Sequence, residues 1–299
     1  MTDLLPITGA PPVVIVGAGR SGTNMLRDVL CSVPGVDTWP CDEINYIWRH
    51  GNVHEPTDEL TRAHARPEVV RYIRGRFAAI APARGADPVV EKTCANALRV
   101  PFVDAVLPEA RFVHIVRDGF DVVASAMDRW TAPLDVPYVA KKARYVPPSD
   151  LPFYAARYLR DRLHRRTDED NRLGAWGPRY AGMQADLAQY SLPEVCALQW
   201  ARCVEKAREG LAEVNPARVV EVRYEDYVQA PAEETARILG ALGIGARGAD
   251  LEALTSGVSA RSVGKGRKAL GPGALDDVAD RVGPVLEALG YEGVGAVEA

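Results

Sequence analysis

The residues best suited to chemistry form a glycine-rich loop near the N-terminus, in PPVVIVGAGRSGTNMLRDVL. Gly17, Gly19 and Gly22 have the spacing of a dinucleotide-binding loop, and the first and last of them also have that of a phosphate-binding loop. A dinucleotide site needs an acid at the end of a second strand, but Pro40 ends the candidate strand before any acid. A triphosphate site needs a lysine after the last glycine, where Thr23 stands.

The same loop is suited to a phosphate that is held without a metal ion. Backbone N–H groups in the first turn of a helix are unpaired and lie at the positive end of the helix dipole. Arg20, Ser21, Thr23 and Asn24 surround the last glycine and add one cation and three neutral donors. This favours a ligand whose leaving group is a phosphate, and a tight turn without a ligand is the alternative.

A second candidate cluster lies in FVHIVRDGFDVVASAM. Arg117 and Asp118 follow a run that predicts a strand, and Ser125 lies in the helix predicted after it. Ligands of open α/β sheets bind at the carboxyl ends of the strands, so Arg117 and the glycine loop should face one crevice. The alternative is that Arg117 and Asp118 merely cap the helix.

The elements that must position these residues are those of a mostly parallel sheet. Short apolar runs predict strands, and helical patterns follow three of them. Strands that alternate with helices predict a three-layer α/β fold with both faces of the sheet covered. The predicted strands span 12–17, 87–92, 110–118 and 217–226.

We expect a single domain over residues 1–299, with a core of about 12–127 and 191–270. The segment of about 128–190 is rich in Arg, Tyr, Pro and Trp, and predicts a helical insertion on the acceptor side of the site. The alternative is that this segment is a solvent-exposed helical insertion without a function. In the same region Trp176, Arg179 and Tyr180 could line an acceptor pocket or could anchor a surface turn.

Composition argues against several classes of function. The chain has 36 basic and 40 acidic residues, a net charge of −4 that gives no reason to expect nucleic acid or an anionic membrane as a partner. No apolar run approaches the roughly 20 residues of a membrane span, and the N-terminus lacks a secretory signal pattern. The five cysteines have no zinc-type spacing. We expect a cytoplasmic protein without a metal site; its oligomeric state is unknown.

Taken together, GAGRSGTNML, VRDGFDVVAS, VRYEDYVQAP and SVGKGRKAL resemble the sulfotransferases that use 3′-phosphoadenosine 5′-phosphosulfate (PAPS). The resemblance covers the chain from about residue 12 to 270. It implies a P-loop-like three-layer α/β/α fold. The R-S-G-T loop is more similar to the tyrosylprotein and bacterial type than to the cytosolic type.

The resemblance implies which residues would bind PAPS and its product, adenosine 3′,5′-bisphosphate (PAP), without a metal ion. Arg117 and Ser125 would hold the 3′-phosphate, with Tyr224 on the same side of the nucleotide. The C-terminal cofactor loop matches less well because relatives often have an aromatic residue in place of Gly266. The candidates in that loop are Ser262, Lys265 and Arg267. The 5′-phosphosulfate would be held by Gly19, Arg20, Ser21, Gly22, Thr23 and Asn24.

Sulfuryl transfer to a hydroxyl needs cations at the bridging phosphate oxygen and a base at the acceptor. Arg20 is one candidate cation. Lys92, in VVEKTCAN, resembles the lysine that follows the corresponding strand in tyrosylprotein-type enzymes, and Glu43, in WPCDEINYIW, matches their glutamate base. We therefore predict an enzyme of the sulfotransferase class with a hydroxyl-bearing acceptor, a small molecule or metabolite that the sequence does not specify.

Several alternatives stay open at this point. Asp42, His50 or His54 could be the base in place of Glu43, whereas His114 lies inside a strand and is expected to be structural. The rival functions are a P-loop-type small-molecule kinase, which would need ATP and magnesium, and a non-catalytic nucleotide-binding module.

Overall fold

Four parallel β-strands form the centre of the computed structural model, which describes residues 4–130, 144–157, 159 and 176–291. The four strands predicted at 12–17, 87–92, 110–118 and 217–226 are all present, and the order across the sheet is β2-β1-β3-β4. Ile15 lies opposite Lys92 on one side and Val113 on the other, while Val116 is paired with Arg223 at the far edge. The strands are β1 (Val13–Val16), β2 (Val90–Lys92), β3 (Arg111–Val116) and β4 (Val219–Arg223).

Helices connect and cover the strands. They are α1 (Thr23–Leu30), α2 (Asn45–Trp48), α3 (Pro67–Arg84), α4 (Val100–Val106), α5 (Gly119–Trp130), α6 (Met183–Gln189), α7 (Leu192–Ala212), α8 (Tyr224–Gln229), α9 (Pro231–Ala241), α10 (Leu251–Thr255) and α11 (Gly266–Ala288). Residues 151–157 are also helical. No helix in the described ranges is both long and apolar enough to cross a membrane.

The sheet buries apolar side chains on both faces, which explains why its strands are continuous apolar runs rather than alternating ones. Val13 and Ile15 face a core that includes side chains of α1, α8 and α9. Val14 and Val16 face the larger core, where side chains of α3, α4, α5, α7 and α11 pack, among them Trp200. The predicted three-layer α/β fold with a parallel sheet is therefore confirmed.

Two parts of the sequence differ from a simple strand and helix alternation. The candidate strand at 35–40 is reduced to an isolated bridge between Asp37 and Val89. Of the predicted insertion at 128–190, residues 131–143, 158 and 160–175 lie outside the described part, and the division into core and insertion stays a prediction.

Parallel strands bring the candidate residues to one edge of the sheet. The glycine loop follows β1, Lys92 ends β2, Arg117 follows β3 and Tyr224 follows β4. All four positions lie at carboxyl ends, where helices begin and ligands bind in such folds.

Candidate active site

The glycine loop turns sharply between β1 and α1. The Ser21 N–H donates to the Ala18 carbonyl at 3.2 Å, and the loop passes through left-handed backbone at Arg20 (φ 73°) and Gly22 (φ 88°). A non-glycine residue rarely adopts this conformation, so the position of the Arg20 side chain is set by the turn. Its Nε donates to Ser125 Oγ at 3.0 Å, which directly joins the two sequence clusters.

Close packing explains the glycine at the start of α1. A Cβ on Gly22 would lie 2.5 Å from the ring of Tyr224, so no side chain fits between the loop and the end of β4. The first turn of α1 contains no acidic residue, and no side chain caps it. Ser21 and Thr23 are buried beside this turn, and Ser21 Oγ has no hydrogen-bond partner. Gly19 lies half-buried and Asn24 exposed at the ends of the loop.

Arg117 connects four segments of the site. Its Nη1 donates to the Arg20 carbonyl at 3.2 Å and its Nη2 to the Ser262 carbonyl at 2.8 Å. The guanidinium carbon lies 4.3 Å from the ring centre of Tyr224, whose hydroxyl is 2.9 Å from Ser262 Oγ. Arg117 is buried and its Nε has no hydrogen-bond partner within the described ranges, so a donor remains for a ligand. The structure thus brings together the residues assigned to the 3′-phosphate.

Asp121, which the sequence reasoning missed, fixes the C-terminal loop. Its two carboxylate oxygens accept the N–H groups of Gly264 (2.9 Å) and Gly266 (2.6 Å), and it lies 3.4 Å from Arg117 Nη2. Its position four residues after Arg117, one helical turn away, was the feature of the sequence that could have identified it.

The packing of this loop against α5 explains why Gly266 stands where the family resemblance leads us to expect an aromatic residue. A Cβ on Gly266 would lie 2.2 Å from the Phe120 backbone carbonyl, so any side chain there would collide with α5. Arg267 instead places its guanidinium carbon 3.7 Å from the centre of the Phe120 ring, and Lys265 is exposed. Of the three predicted loop residues, Ser262 alone bonds the other site residues in the described structure.

Lys92, the last residue of β2, forms an ion pair with Glu43, which follows the 35–40 segment. Lys92 Nζ donates to Glu43 Oε1 at 2.9 Å, and the same oxygen accepts the Cys94 N–H at 3.3 Å. The Lys92 side chain is 2% exposed and that of Glu43 27%, so the carboxylate alone reaches solvent. Burial lowers the pKa of Lys92, but Cys94 and Glu43 raise it by more, and the net shift is upward. Lys92 therefore stays protonated.

A buried network holds this pair in place. The Glu91 carboxylate accepts the Thr93 hydroxyl at 2.5 Å and the Asn96 amide at 2.8 Å, while Thr93 Oγ1 accepts the Ile44 N–H at 3.2 Å. The segment that carries Glu43 is thereby tied to the end of β2. Burial raises the pKa of Glu91 to about 7. Glu91, the residue before Lys92 in VVEKTCAN, was not predicted from the sequence to belong to the site.

The alternative bases have other partners. Asp42 lies 3.7 Å from Arg27. His50 Nδ1 lies 2.9 Å from Asp150, and the His54 ring packs edge-on against Phe153. Glu43 is thus the candidate that the structure places beside Lys92.

His114 is buried, as expected for a residue inside a strand. Burial, with a smaller effect of Arg208, lowers its pKa to about 4, so its imidazole is neutral. Its position within β3 separates it from the carboxyl edge.

The electrostatic character of the site is cationic. Loss of solvent around its guanidinium and the nearby Arg129 lower the pKa of Arg20, and Arg117 lowers it further. Mutual repulsion between cations is relieved when an anion binds between them. Among the described residues no group of three or more His, Cys, Asp or Glu could hold a metal ion.

Comparison with known proteins agrees with this architecture. The sequence model of the sulfotransferase family matches residues 11–174 and 159–247, and the chain therefore belongs to the sulfotransferase family. No curated protein matches the chain significantly.

Several solved structures have the same fold. The sulfotransferase domain from the curacin biosynthetic pathway is 14% identical, with a TM-score of 0.50 over 95% of this chain and 99% of that one. The sulfotransferase domain from the Synechococcus PCC 7002 olefin synthase is 17% identical, with a TM-score of 0.50 over 96% and 98%. Sulfotransferase STF9 from Mycobacterium avium is 12% identical, with a TM-score of 0.50 over 98% and 79%.

Proposed function

We propose that this sulfotransferase moves a sulfuryl group from PAPS to a hydroxyl of a small-molecule acceptor. One observation carries the proposal. The two sequence clusters assigned to the two ends of the nucleotide contact each other, through the bond from Arg20 to Ser125 and the bond from Arg117 to the Arg20 carbonyl. A single bisphosphorylated nucleotide that spans both clusters accounts for this arrangement.

The residues present fit such a nucleotide. Ser21 Oγ and Arg117 Nε are buried donors without partners among the described residues, and a phosphate oxygen could accept a hydrogen bond from each of them. Arg117, Ser125 and Tyr224, with Ser262, would hold the 3′-phosphate. The first turn of α1, which has no acidic residue, would hold the 5′-phosphate end. Lys265 and Arg267 would add positive charge from the C-terminal loop.

The chemical step requires mainly charged groups that are held in the correct positions. PAPS, when bound, supplies a sulfuryl group on a phosphate leaving group. Lys92 and Arg20 would stabilise the charge that grows on the bridging phosphate oxygen. Glu43 would take the proton of the acceptor hydroxyl, since it alone of the pair reaches solvent. The Lys92–Glu43 bond keeps both groups at the place where donor and acceptor meet.

A thermal-shift panel tests the donor. We expect strong stabilisation by PAP without magnesium, because a ligand at 100 times its dissociation constant adds about 2.7 kcal/mol. ATP with magnesium and NAD(P)H should have no such effect. Stabilisation by ATP with magnesium alone would instead favour a kinase.

A transfer assay tests catalysis. Extracts incubated with enzyme and labelled PAPS should contain an acceptor that gains one sulfate by mass spectrometry. Binding of PAP without transfer to any acceptor would identify a non-catalytic nucleotide-binding module.

A further inference from the structure

Two buried polar atoms on the proposed acceptor side have no hydrogen-bond partner in the part of the chain that the structure describes. They are the Tyr154 hydroxyl oxygen, on the helical segment 151–157, and Arg179 Nη2, in the stretch before α6. Tyr154 lies close enough to Arg179 to affect its pKa. Buried donors without partners are rare and destabilising, so two of them in one region of the molecule point to a ligand.

Aromatic rings connect these atoms to Glu43. Tyr46 lies three residues after Glu43, at the start of α2, and its pKa is raised by burial and by the Glu43 carboxylate. The Tyr46 ring packs edge-to-face on Tyr154 with centroids 4.7 Å apart, and Phe153 packs on Tyr154 at 5.4 Å. Tyr154 therefore packs on the ring of Tyr46, three residues along the chain from Glu43.

Asp58, the carboxylate that contacts the Arg179 backbone, is already engaged by other donors. Asp58 Oδ1 accepts Arg49 Nη1 at 2.9 Å and lies 3.7 Å from Arg99, while Asp58 Oδ2 accepts the backbone N–H of Arg179 at 2.9 Å. Both carboxylate oxygens are thus engaged, and the Arg179 guanidinium shares in neither bond. Burial and the neighbouring Arg157 lower the pKa of Arg179 to about 10.

We propose that Tyr154 and Arg179 form an acidic-group subsite, which binds a carboxylate on the acceptor while the acceptor hydroxyl lies at Glu43. The acceptors are then hydroxyl compounds that also carry a carboxylate, and the aromatic wall favours aryl rings between the two groups. The inference rests on the proposed function, because it names the class of acceptor for that reaction. An arginine fork with a phenol donor suits a carboxylate, whose charge would pair with the Arg179 guanidinium.

Calorimetric titration of the PAP-saturated protein tests the subsite. The probes are 4-hydroxyphenylacetate and 3-(4-hydroxyphenyl)propanoate, each compared with its neutral amide. We expect at least one acid to bind more tightly than its amide by roughly 10-fold or more, the size of a charge-assisted hydrogen bond. Equal binding of acid and amide in both pairs, or no binding of either acid, would overturn the inference.

Matched variants assign the effect to the subsite. Arg179→Met should reduce the preference for the acid to within about twofold, and Tyr154→Phe should weaken acid binding without affecting the amide. The control is Arg202→Met on α7, where the side chain is 53% exposed and paired with Glu205. This control should keep the full preference, and a loss of preference in the control variant would contradict a localised subsite.

Stability distinguishes a ligand-binding role from a structural one. Arg179 keeps its backbone bonds to Asp58 when its side chain changes, so Arg179→Met removes a half-buried guanidinium whose Nη2 has no partner among the described residues. We expect an unchanged or higher melting temperature. A lower melting temperature together with an unchanged acid preference would mean that Arg179 is structural. If PAP itself fails to bind, the proposed function fails, whereas PAP binding with equal acid and amide affinities refutes the subsite alone.

Discussion

Asp121→Asn tests whether one carboxylate holds the C-terminal loop against the site. In the native protein its two oxygens accept the Gly264 and Gly266 N–H groups, and its charge faces Arg117. The Asn side chain has a single acceptor oxygen, so one N–H loses its partner and meets an NH2 donor instead. The lost bond is charge-assisted and the carboxyl group is 2% exposed, which puts the cost at about 1.5–3 kcal/mol.

Amide hydrogen exchange and chemical denaturation measure this effect. Because every 1.4 kcal/mol is a factor of ten, we expect exchange at Gly264 or Gly266 to accelerate roughly 10- to 140-fold. The melting temperature should fall as well, and PAP affinity should fall because Ser262 belongs to the same loop.

Asp118→Asn is the matched control. A single Asp118 oxygen accepts the N–H groups of Phe120 (2.8 Å) and Asp121 (3.2 Å) at the start of α5, and an amide oxygen caps a helix nearly as well as a carboxylate. Its stability should therefore change by less than about 0.5 kcal/mol. If Asp121→Asn is no more destabilising than this control, the account of the loop is wrong.

Three further predictions follow from the site. Lys92→Ala should lower turnover far more than PAP affinity, whereas Arg117→Ala should mainly weaken PAP binding; similar effects on both constants in both variants would contradict the assigned roles. Gly22→Ala should destabilise the protein by more than 1 kcal/mol in denaturant titrations, because its φ of 88° is left-handed and a Cβ would lie 2.5 Å from a tyrosine ring. Gly240→Ala, where a Cβ has open space, should be neutral or stabilising, and equal losses at the two glycines would refute the packing argument. The pKa of Glu91 is raised from 4.5 to about 7, so its contribution to stability is complete below pH 4.5 and is lost as the pH rises towards 7. The difference in unfolding free energy between wild type and Glu91→Gln should change over that window, and a constant difference would show that Glu91 does not titrate there.

Local patterns were sufficient for the sheet and for the two main clusters. A short apolar run that ends in glycine or a charged residue favours a buried strand. The strands that precede Arg20 and Arg117 were therefore predicted correctly. The approach of these clusters to each other also followed from sequence, because parallel strands place their carboxyl ends at one edge. The roles of the individual residues in binding and catalysis stay predictions.

Contacts between distant segments were not predictable from local patterns. The bonds of Asp121 to Gly264 and Gly266 link residues more than 140 positions apart. The same is true of the collision that excludes a side chain at Gly266, which depends on the backbone of α5.

The sequence by itself determined the family and the parallel α/β fold, and it supplied the candidate phosphate-binding residues, because these inferences depend on residue type and on spacing within one segment. The tertiary structure alone decided which carboxylate lies beside Lys92, since Glu43 and Asp42 are neighbours in the chain but face different cations. It also decided that, among the described residues, the Arg179 guanidinium has no carboxylate partner, because Asp58 is already engaged by other donors. Burial and pairing are properties of the packed chain, and they decide which charges remain available for a ligand.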